Sequence, residues 1–108
     1  MRDEKLRRYF KALADRTRFD IVQELGRTGE RSVSDLCLNL GTTQPLMSWH
    51  VRMLRNAGVI ATRRQGRQVF CSLDRASLAA FQQRFEALIE GQAPLVEPSS
   101  ARHAPIPG

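Results

Sequence analysis

Apolar residues recur with a helical period along the first part of the chain. One stripe at i, i+3, i+4 and i+7 predicts a first helix: Leu6, Tyr9, Phe10 and Leu13. A second helix begins after Asp15, a predicted N-cap, and ends at Gly26 and Gly29. Its apolar positions are Phe19, Ile21, Val22 and Leu25. A third, shorter helix begins with the capping box Ser32-Val33-Ser34-Asp35 and ends at Gly41. The pattern thus predicts three consecutive helices.

A fourth helix follows the third after a very short turn, Gly41-Thr42. Thr43 is its predicted N-cap, and Pro45 fits the first turn because N–H groups there have no partner within the helix. The helix ends at Asn56-Ala57-Gly58. Its apolar residues form one narrow edge: Met47, Val51 and Leu54. Two helices joined by a tight glycine turn, the second held by one edge, are typical of a helix-turn-helix motif.

The period changes from helical to alternating after Gly58. Residues 59–64 and 68–73 predict two short strands, joined by Gln65-Gly66-Arg67 with glycine where a positive φ is needed. Asp74 then caps a last helix. The apolar stripe of that helix is Leu78, Phe81, Phe85, Leu88 and Ile89. The predicted fold is mainly α with a two-stranded β-wing: a winged helix-turn-helix with the order α-α-α-α-β-β-α.

The chain has the length of one domain, 108 residues, and its composition shifts near Gly91. Four of the five prolines lie beyond this residue, together with few large apolar side chains. Such a segment cannot bury enough apolar surface to offset the entropy lost on ordering. We therefore expect residues 1–90 to fold and residues 91–108 to form a mobile, Pro/Ser-rich tail.

Positive charge dominates the chain and is concentrated in one region. Lysine and arginine number 17 against 11 acidic residues, which gives a net charge of +6. No acidic residue occurs from Leu36 to Leu73, the region that holds the fourth helix and the wing. This charge suits a polyanionic partner. Nucleic acid is the first candidate, and an anionic membrane is the second. Because the acid-free region coincides with the helix-turn-helix motif and the wing, the sequence favours double-stranded DNA as the partner.

The side chains predicted to contact DNA lie on the fourth helix and the wing. A major groove about 12 Å wide admits one helix with its side chains. Projected at about 100° per residue, five residues of the fourth helix point away from its apolar edge: Gln44, Ser48, Trp49, Arg52 and Arg55. The other candidates are the cap residue Thr43 and the wing arginines Arg63, Arg64 and Arg67. Arginine suits bidentate contacts to phosphate or to guanine.

Several other functions are disfavoured by the residues present. The sequence has no nucleophile motif, no phosphate-binding glycine loop and no group of converging carboxylates, so we expect neither enzymatic activity nor a cofactor. The segment MRDEKLRRYF has no apolar signal core, and no run of 18 apolar residues occurs. We therefore expect a cytoplasmic protein without a membrane partner.

One rival function stays open, an architectural or protein-interaction winged helix without strong sequence preference. It would keep the same fold and the same charge. Gln44, Ser48 and Arg52 argue against it, because these side chains can read base edges as well as phosphates.

Four groups of segments form a specific pattern in their order and spacing. They are Lys11-Ala12-Leu13-Ala14-Asp15 with Thr17-Arg18; Ser32-Val33-Ser34-Asp35-Leu36; Gln44-Pro45, Ser48-Trp49-His50-Val51 and Leu54-Arg55-Asn56-Ala57-Gly58-Val59; and Gly66-Arg67-Gln68-Val69. With this pattern, residues 5–90 resemble the ArsR/SmtB-type winged-helix repressors. The resemblance implies a repressor that binds an inverted-repeat operator as a homodimer and is released by a signal. Gln44, Ser48 and Arg52 match family positions on the recognition helix. Arg64 and Arg67 match positions on the wing.

The first and last helices carry the aromatic residues expected at a dimer interface. Their stripes hold three of the five phenylalanines and the only tyrosine, which is more aromatic surface than a small helical core needs. The predicted interface residues are Leu6, Tyr9, Phe10, Leu13, Leu78, Phe81, Phe85 and Leu88. A two-fold dimer would place its recognition helices about 34 Å apart, in successive major grooves. We expect residues 1–90 to serve both DNA binding and dimerisation.

The resemblance also implies metal sensing for family members, but this sequence lacks the metal-ligating residues of their common sites. In the third helix, where a Cys-x-Cys is common, Cys37 is followed by Asn39 instead of a second cysteine. Residues 74–90 contain no histidine for a site on the last helix. Because soft metals need three or four ligands, we expect no metal site. The sequence does not identify another inducer.

Cys37 and Cys71 allow two interpretations. Each lies on an apolar face, which favours packing as a small hydrophobic side chain. The alternative is a thiol redox switch in which the two join within or between subunits. That switch requires their Cα atoms to lie within about 7 Å.

Overall fold

The computed structural model describes residues 3–91. All of the predicted tail, residues 91–108, except Gly91 lies outside the described part. The elements in chain order are α1 (Glu4–Ala14), α2 (Arg16–Thr28), β1 (Arg31–Ser32), α3 (Val33–Leu40), α4 (Gln44–Asn56), β2 (Ile60–Gln65), β3 (Gln68–Leu73) and α5 (Arg75–Ile89). Over these residues the predicted winged helix-turn-helix is confirmed. None of the helices within residues 3–91 has the length and apolar character needed to cross a membrane.

The predicted helix caps are confirmed by their hydrogen bonds. In each case a side-chain oxygen accepts a hydrogen bond from the backbone N–H three residues further on, at 3.0 to 3.4 Å. The four predicted capping residues are Asp15, Ser32, Thr43 and Asp74. Asp3 caps α1 in the same way at 3.1 Å, which the sequence patterns did not predict. Each cap satisfies a donor that the first helical turn leaves unpaired and contributes about 1 kcal/mol.

The sheet has three strands rather than the two predicted. β2 and β3 form the expected antiparallel hairpin, in register from Ile60 opposite Leu73 to Gln65 opposite Gln68. β1 pairs with the other edge of β3, with Arg31 opposite Cys71, which gives the order β1-β3-β2. A strand of two residues leaves no alternating pattern in a sequence, and only its pairing with β3 defines it.

The hydrophobic core lies where α2, α3 and α4 meet the sheet. The predicted edge of α4 is buried: Met47, Val51 and Leu54. Phe19, which we predicted among the apolar positions of α2, is instead 53% exposed. The buried residues of α2 are Arg18, Ile21 and Leu25. Since Phe19 is one residue past Arg18, it is rotated by about 100° away from that stripe. The sequence pattern was wrong here because a buried arginine occupies the inward position.

α5 packs on α1 without burying any of its own residues fully. Tyr9 of α1 stacks on Phe81 of α5, with ring centroids 4.3 Å apart. At the start of α1, the carboxylate of Asp3 accepts hydrogen bonds from Nε and Nη2 of Arg84 at 3.0 and 2.8 Å. These contacts fix α5 beside α1 and leave much of its outer surface exposed.

Candidate nucleic-acid interface

α4 presents one face to solvent and the opposite face to the core. Gly41 makes the turn before it in the left-handed region, at φ 68°, a conformation that glycine adopts without steric cost. With the apolar edge buried, the residues predicted to face the groove are all exposed: Gln44, Ser48, Trp49, Arg52 and Arg55. Among residues 3–91, Ser48, Arg52 and Arg55 have no side-chain hydrogen bond or ion pair. Their polar groups are therefore available to a ligand.

The first turn of α4 is tied to the helix before it. Gln44 donates a hydrogen bond from Nε2 to Oγ of Ser34 on α3, at 3.4 Å. Thr43 uses its hydroxyl oxygen to cap α4 while its side chain stays exposed. Of the two predicted contact residues at this end of the helix, Gln44 therefore links α4 to α3, and Thr43 stabilises the first turn of α4.

A buried polar cluster connects the core side of α4 to the junction of α1 and α2. Arg18 and His50 are 8% and 6% exposed. Arg18 donates from Nε to the carbonyl oxygen of Ala12 at 2.8 Å and from Nη1 to Nδ1 of His50 at 3.2 Å. Asp15 lies beside the pair, with its Oδ2 3.8 Å from Nδ1 of His50. His50 is therefore a packing residue of the subunit.

The partner of His50 decides its protonation state. A guanidinium group can only donate, so Nδ1 of His50 must be the unprotonated acceptor and the ring is neutral. Burial is the main reason why the pKa of His50 lies below its usual value of 6.5, and the charge of Arg18 acts in the same direction. Asp15 opposes the shift. The contact between Asp15 and His50 is thus a charge near a neutral ring rather than an ion pair.

Trp49 lies between this cluster and the solvent. The guanidinium carbon of Arg18 is 5.5 Å from the centre of the indole ring, within the range of a cation–π contact. The ring of His50 meets it edge to face at 5.2 Å. Trp49 remains half-exposed, so one side of the indole covers Arg18 while the rest stays accessible.

The three wing arginines differ in their surroundings. Arg64 and Arg67 are exposed and form no side-chain hydrogen bond or ion pair with residues 3–91. Arg63, in contrast, donates from Nε and Nη2 to the two carboxylate oxygens of Glu30, both at 2.9 Å, and stacks over the ring of Phe70 at 4.6 Å. Its Nη1 donates to Gln65. The prediction treated all three alike because Glu30 lies 33 residues away in sequence.

The predicted dimer residues divide into three groups. Leu6 is 2% exposed and packs inside the subunit, which differs from the surface position that we expected. Tyr9, Leu13, Leu78 and Phe81 are partly buried within one chain. Phe10, Phe85 and Leu88 are exposed. The helical stripes include residues through which α1 and α5 pack within one chain, but they could not separate that packing from surface left for a partner.

Leu46 is a candidate contact residue that the sequence patterns missed. It is 50% exposed in the first turn of α4, beside the exposed polar residues of that helix. The sequence could have indicated it, because Leu46 is an apolar residue that lies next to the buried edge of Met47, Val51 and Leu54 but is not part of it. Such a side chain suits a thymine methyl group in the major groove.

Both cysteines are free thiols with raised pKa values. Burial raises the pKa of Cys71 to about 11, with a smaller effect of the Glu30 charge in the same direction, and burial also raises the pKa of Cys37. A protonated thiol is a poor nucleophile and a poor metal ligand. Within residues 3–91, no three His, Cys, Asp or Glu side chains converge in a way that could hold a metal ion. These observations favour packing as the role of the two cysteines.

A short helix, a glycine turn and an exposed second helix, followed by a basic hairpin, define a winged helix-turn-helix domain. The family profile described as "Bacterial regulatory protein, arsR family" matches residues 15–62. The crystal structure of an ArsR family transcriptional regulator superposes with a TM-score of 0.70 at 30% sequence identity, over 80% of this chain and 93% of the other. The chain therefore belongs to the ArsR family of bacterial regulatory proteins.

Two further similarities are informative. The arsenical resistance operon repressor of Escherichia coli is 47% identical over 60 residues, which are 56% of this chain and 51% of that protein. A homodimeric winged helix-turn-helix DNA-binding domain from Mycobacterium bovis has the same fold, with a TM-score of 0.65 at 22% identity over 89% of each chain. The chain spans about half the length of the curated relatives that it matches first.

Proposed function

We propose that this protein is a homodimeric transcriptional repressor that binds double-stranded DNA sequence-specifically. One observation carries the proposal: α4 is held by a single buried edge and exposes unpaired polar and cationic side chains on the other side. Arg52 and Ser48 on that face can reach base edges, because a helix with such a face fits the major groove. Arg64 and Arg67 on the adjacent wing suit phosphates.

The homodimer is supported by the outer surface of α1 and α5. Phe10 and Phe85 meet edge to face at 5.1 Å, yet both rings stay exposed in one subunit. With Leu88 they line an open cavity of about 620 Å³ between the two helices. Exposed aromatic and aliphatic side chains in one patch are typical of an interface core. We propose that a second copy of the chain covers this surface.

The inverted-repeat operator follows from the dimer. A two-fold axis relates two identical α4 helices, so each half-site must present the same sequence to each helix, about 34 Å apart. Repression is proposed from the similarity to the operon repressor of E. coli. We also propose that a signal releases the protein from the operator. The raised pKa values of both thiols favour a ligand rather than thiol oxidation as that signal.

The proposal is tested by fluorescence anisotropy with the full chain and two DNA duplexes, the region upstream of its own gene and a scrambled sequence of equal length. We expect the upstream duplex to bind at least about 10³-fold more tightly at physiological salt, because specific readout adds to a salt-dependent background. Equal affinities would contradict the repressor and favour an architectural or protein-interaction role.

The same titration, repeated after mild oxidation and again after reduction, tests the signal. Unchanged affinity is expected if Cys37 and Cys71 serve packing. A loss of affinity that reductant restores would instead make the two thiols a redox switch.

A further inference from the structure

A second basic region lies away from the wing, between α1 and the C-terminal half of α4. A cavity of about 700 Å³ opens there. Its polar lining comes from three helices: Glu4, Arg7, Arg8 and Lys11 of α1, Arg18 of α2 and Asn56 of α4. The size is within the range of about 300 to 1,000 Å³ that is common for small-molecule sites.

The charge of this cavity is strongly positive. The four α1 residues share one helical face, at i, i+3, i+4 and i+7, opposite the stripe that faces α5. Only Glu4 is acidic, and it is 3.8 Å from Arg7 across an exposed pair. The side chains of Arg8 and Lys11 form no hydrogen bond or ion pair with any part of the chain between residues 3 and 91. Like charges at this spacing repel each other, and an anion between them would remove that cost.

Arg18 provides a second, independent observation, because it is more than nine-tenths buried and lines the same cavity. Its Nε and one N–H of Nη1 are used by Ala12 and His50. The N–H groups of Nη2 have no acceptor among the described residues. Buried donors are normally paired with an acceptor. An anionic ligand can supply the acceptor that Nη2 of Arg18 lacks.

We propose that this cavity binds a small oxyanion, a phosphate or carboxylate compound, and is the effector site of the protein. Arg8 and Lys11 supply exposed charge, and Arg18 supplies buried donors. An anion on Nη2 of Arg18 acts on the same guanidinium group that holds His50 of α4, so its binding changes how α4 is fixed to the α1–α2 junction. The effect on DNA rests on the proposed function, whereas anion binding does not.

The test is a ¹H–¹⁵N NMR titration of the full chain with citrate and with inorganic phosphate, at an ionic strength held constant with chloride. We expect saturable shifts of backbone amides in α1 and α4, with tighter binding of citrate because it carries more carboxylates. Replacing Arg8 and Lys11 together by glutamine should weaken citrate binding by about tenfold or more, since two charge-assisted hydrogen bonds are lost.

The matched control is the double variant R64Q/R67Q, which removes the same charge from the wing. Its affinity for citrate should stay within about twofold of wild type, because these side chains are outside the cavity and exposed charges are screened. Shifts that rise linearly without saturation, or equal losses in both double variants, would overturn the site and indicate only screening of a basic surface.

A second arm separates a free anion from a phosphate of the DNA backbone. Operator affinity is measured for wild type and R8Q/K11Q, with and without saturating citrate. A free effector predicts that citrate changes the affinity of wild type but not of R8Q/K11Q. If R8Q/K11Q binds operator more weakly without citrate and the NMR titration shows no site, the cavity holds a DNA phosphate and the effector is ruled out. If wild type binds no DNA at all but the NMR site saturates, the repressor proposal fails and the anion site stands.

Discussion

Arg18 and His50 join the α1–α2 junction to α4 through one side-chain hydrogen bond, and this bond requires a neutral imidazole. Burial is the main cause that keeps the pKa of His50 below 6.5 in the folded chain. The charge of Asp15 raises this pKa, whereas the charge of Arg18 lowers it. As the pH falls below 6.5, the unfolded chain therefore takes up the proton first. Neutral His50 therefore makes its full contribution to the free energy of unfolding above pH 6.5. This contribution is lost as the pH falls towards the pKa of His50 in the folded chain.

We predict that the free energy of unfolding of wild type decreases as the pH falls below 6.5, the usual pKa of histidine. In the variant His50→Gln this part of the pH dependence should disappear, because a glutamine oxygen can accept the Arg18 hydrogen bond without titrating. Urea denaturation followed by circular dichroism across this pH range measures both. Parallel pH profiles for the two proteins would show that His50 does not control stability there.

Arg52 is the exposed arginine of α4 that we expect to read a base. If its guanidinium makes bidentate contacts to guanine, Arg52→Ala should cost about 1 to 3 kcal/mol of operator affinity and relax the preference at one base position. Arg75→Ala on α5 removes the same charge far from α4 in the chain and serves as the control. Competition binding with single-base operator variants measures the effect. A loss that is the same on random DNA would contradict base readout.

At the scale of the element, the wing contains two kinds of arginine. Arg63 is paired with Glu30, whereas the side chains of Arg64 and Arg67 form no hydrogen bond or ion pair with residues 3–91. Arg64→Ala or Arg67→Ala should weaken binding to all sequences and reduce the slope of log affinity against log salt by about one, because one phosphate contact is lost. Arg63→Ala should leave that slope unchanged, since its guanidinium is already paired with Glu30. Anisotropy titrations over a series of salt concentrations distinguish the two groups. An equal change of slope for Arg63→Ala would mean that the Glu30 pair opens on DNA.

The five helices and four of their five N-caps could be predicted from the sequence, but the third strand could not. Ser32 and Thr43 each accept a hydrogen bond from the backbone N–H three residues further on, and glycine at position 41 makes the turn, so all of this information is local. The strand Arg31–Ser32 depends on β3, which begins 36 residues later at Gln68, and no periodicity within two residues can report it. Similarly, the exposure of Phe19 depends on Arg18 being buried against α1 and α4.

At the scale of the whole molecule, the proposed dimer interface is the exposed surface of α1 and α5. We predict that Leu88→Glu converts the dimer to a monomer and weakens operator binding, because a charge placed in an apolar interface loses its hydration. The control is Leu38→Glu on α3, where the leucine is 82% exposed and lies outside the α1–α5 surface. Analytical ultracentrifugation measures the mass of each. A Leu88→Glu protein that stays dimeric would place the interface elsewhere.

The sequence by itself determined the order of the five helices and the two wing strands, the helix-turn-helix with its exposed polar face, and the acid-free region around it. These follow from helical period, capping and glycine turns, which act over a few residues. Only the tertiary structure decided which polar side chains are already occupied. The bonds from Arg18 to His50 and from Arg63 to Glu30 span 32 and 33 residues. Such pairs depend on how elements distant in sequence pack against each other. That packing determines which arginines stabilise the fold and which remain available to a ligand.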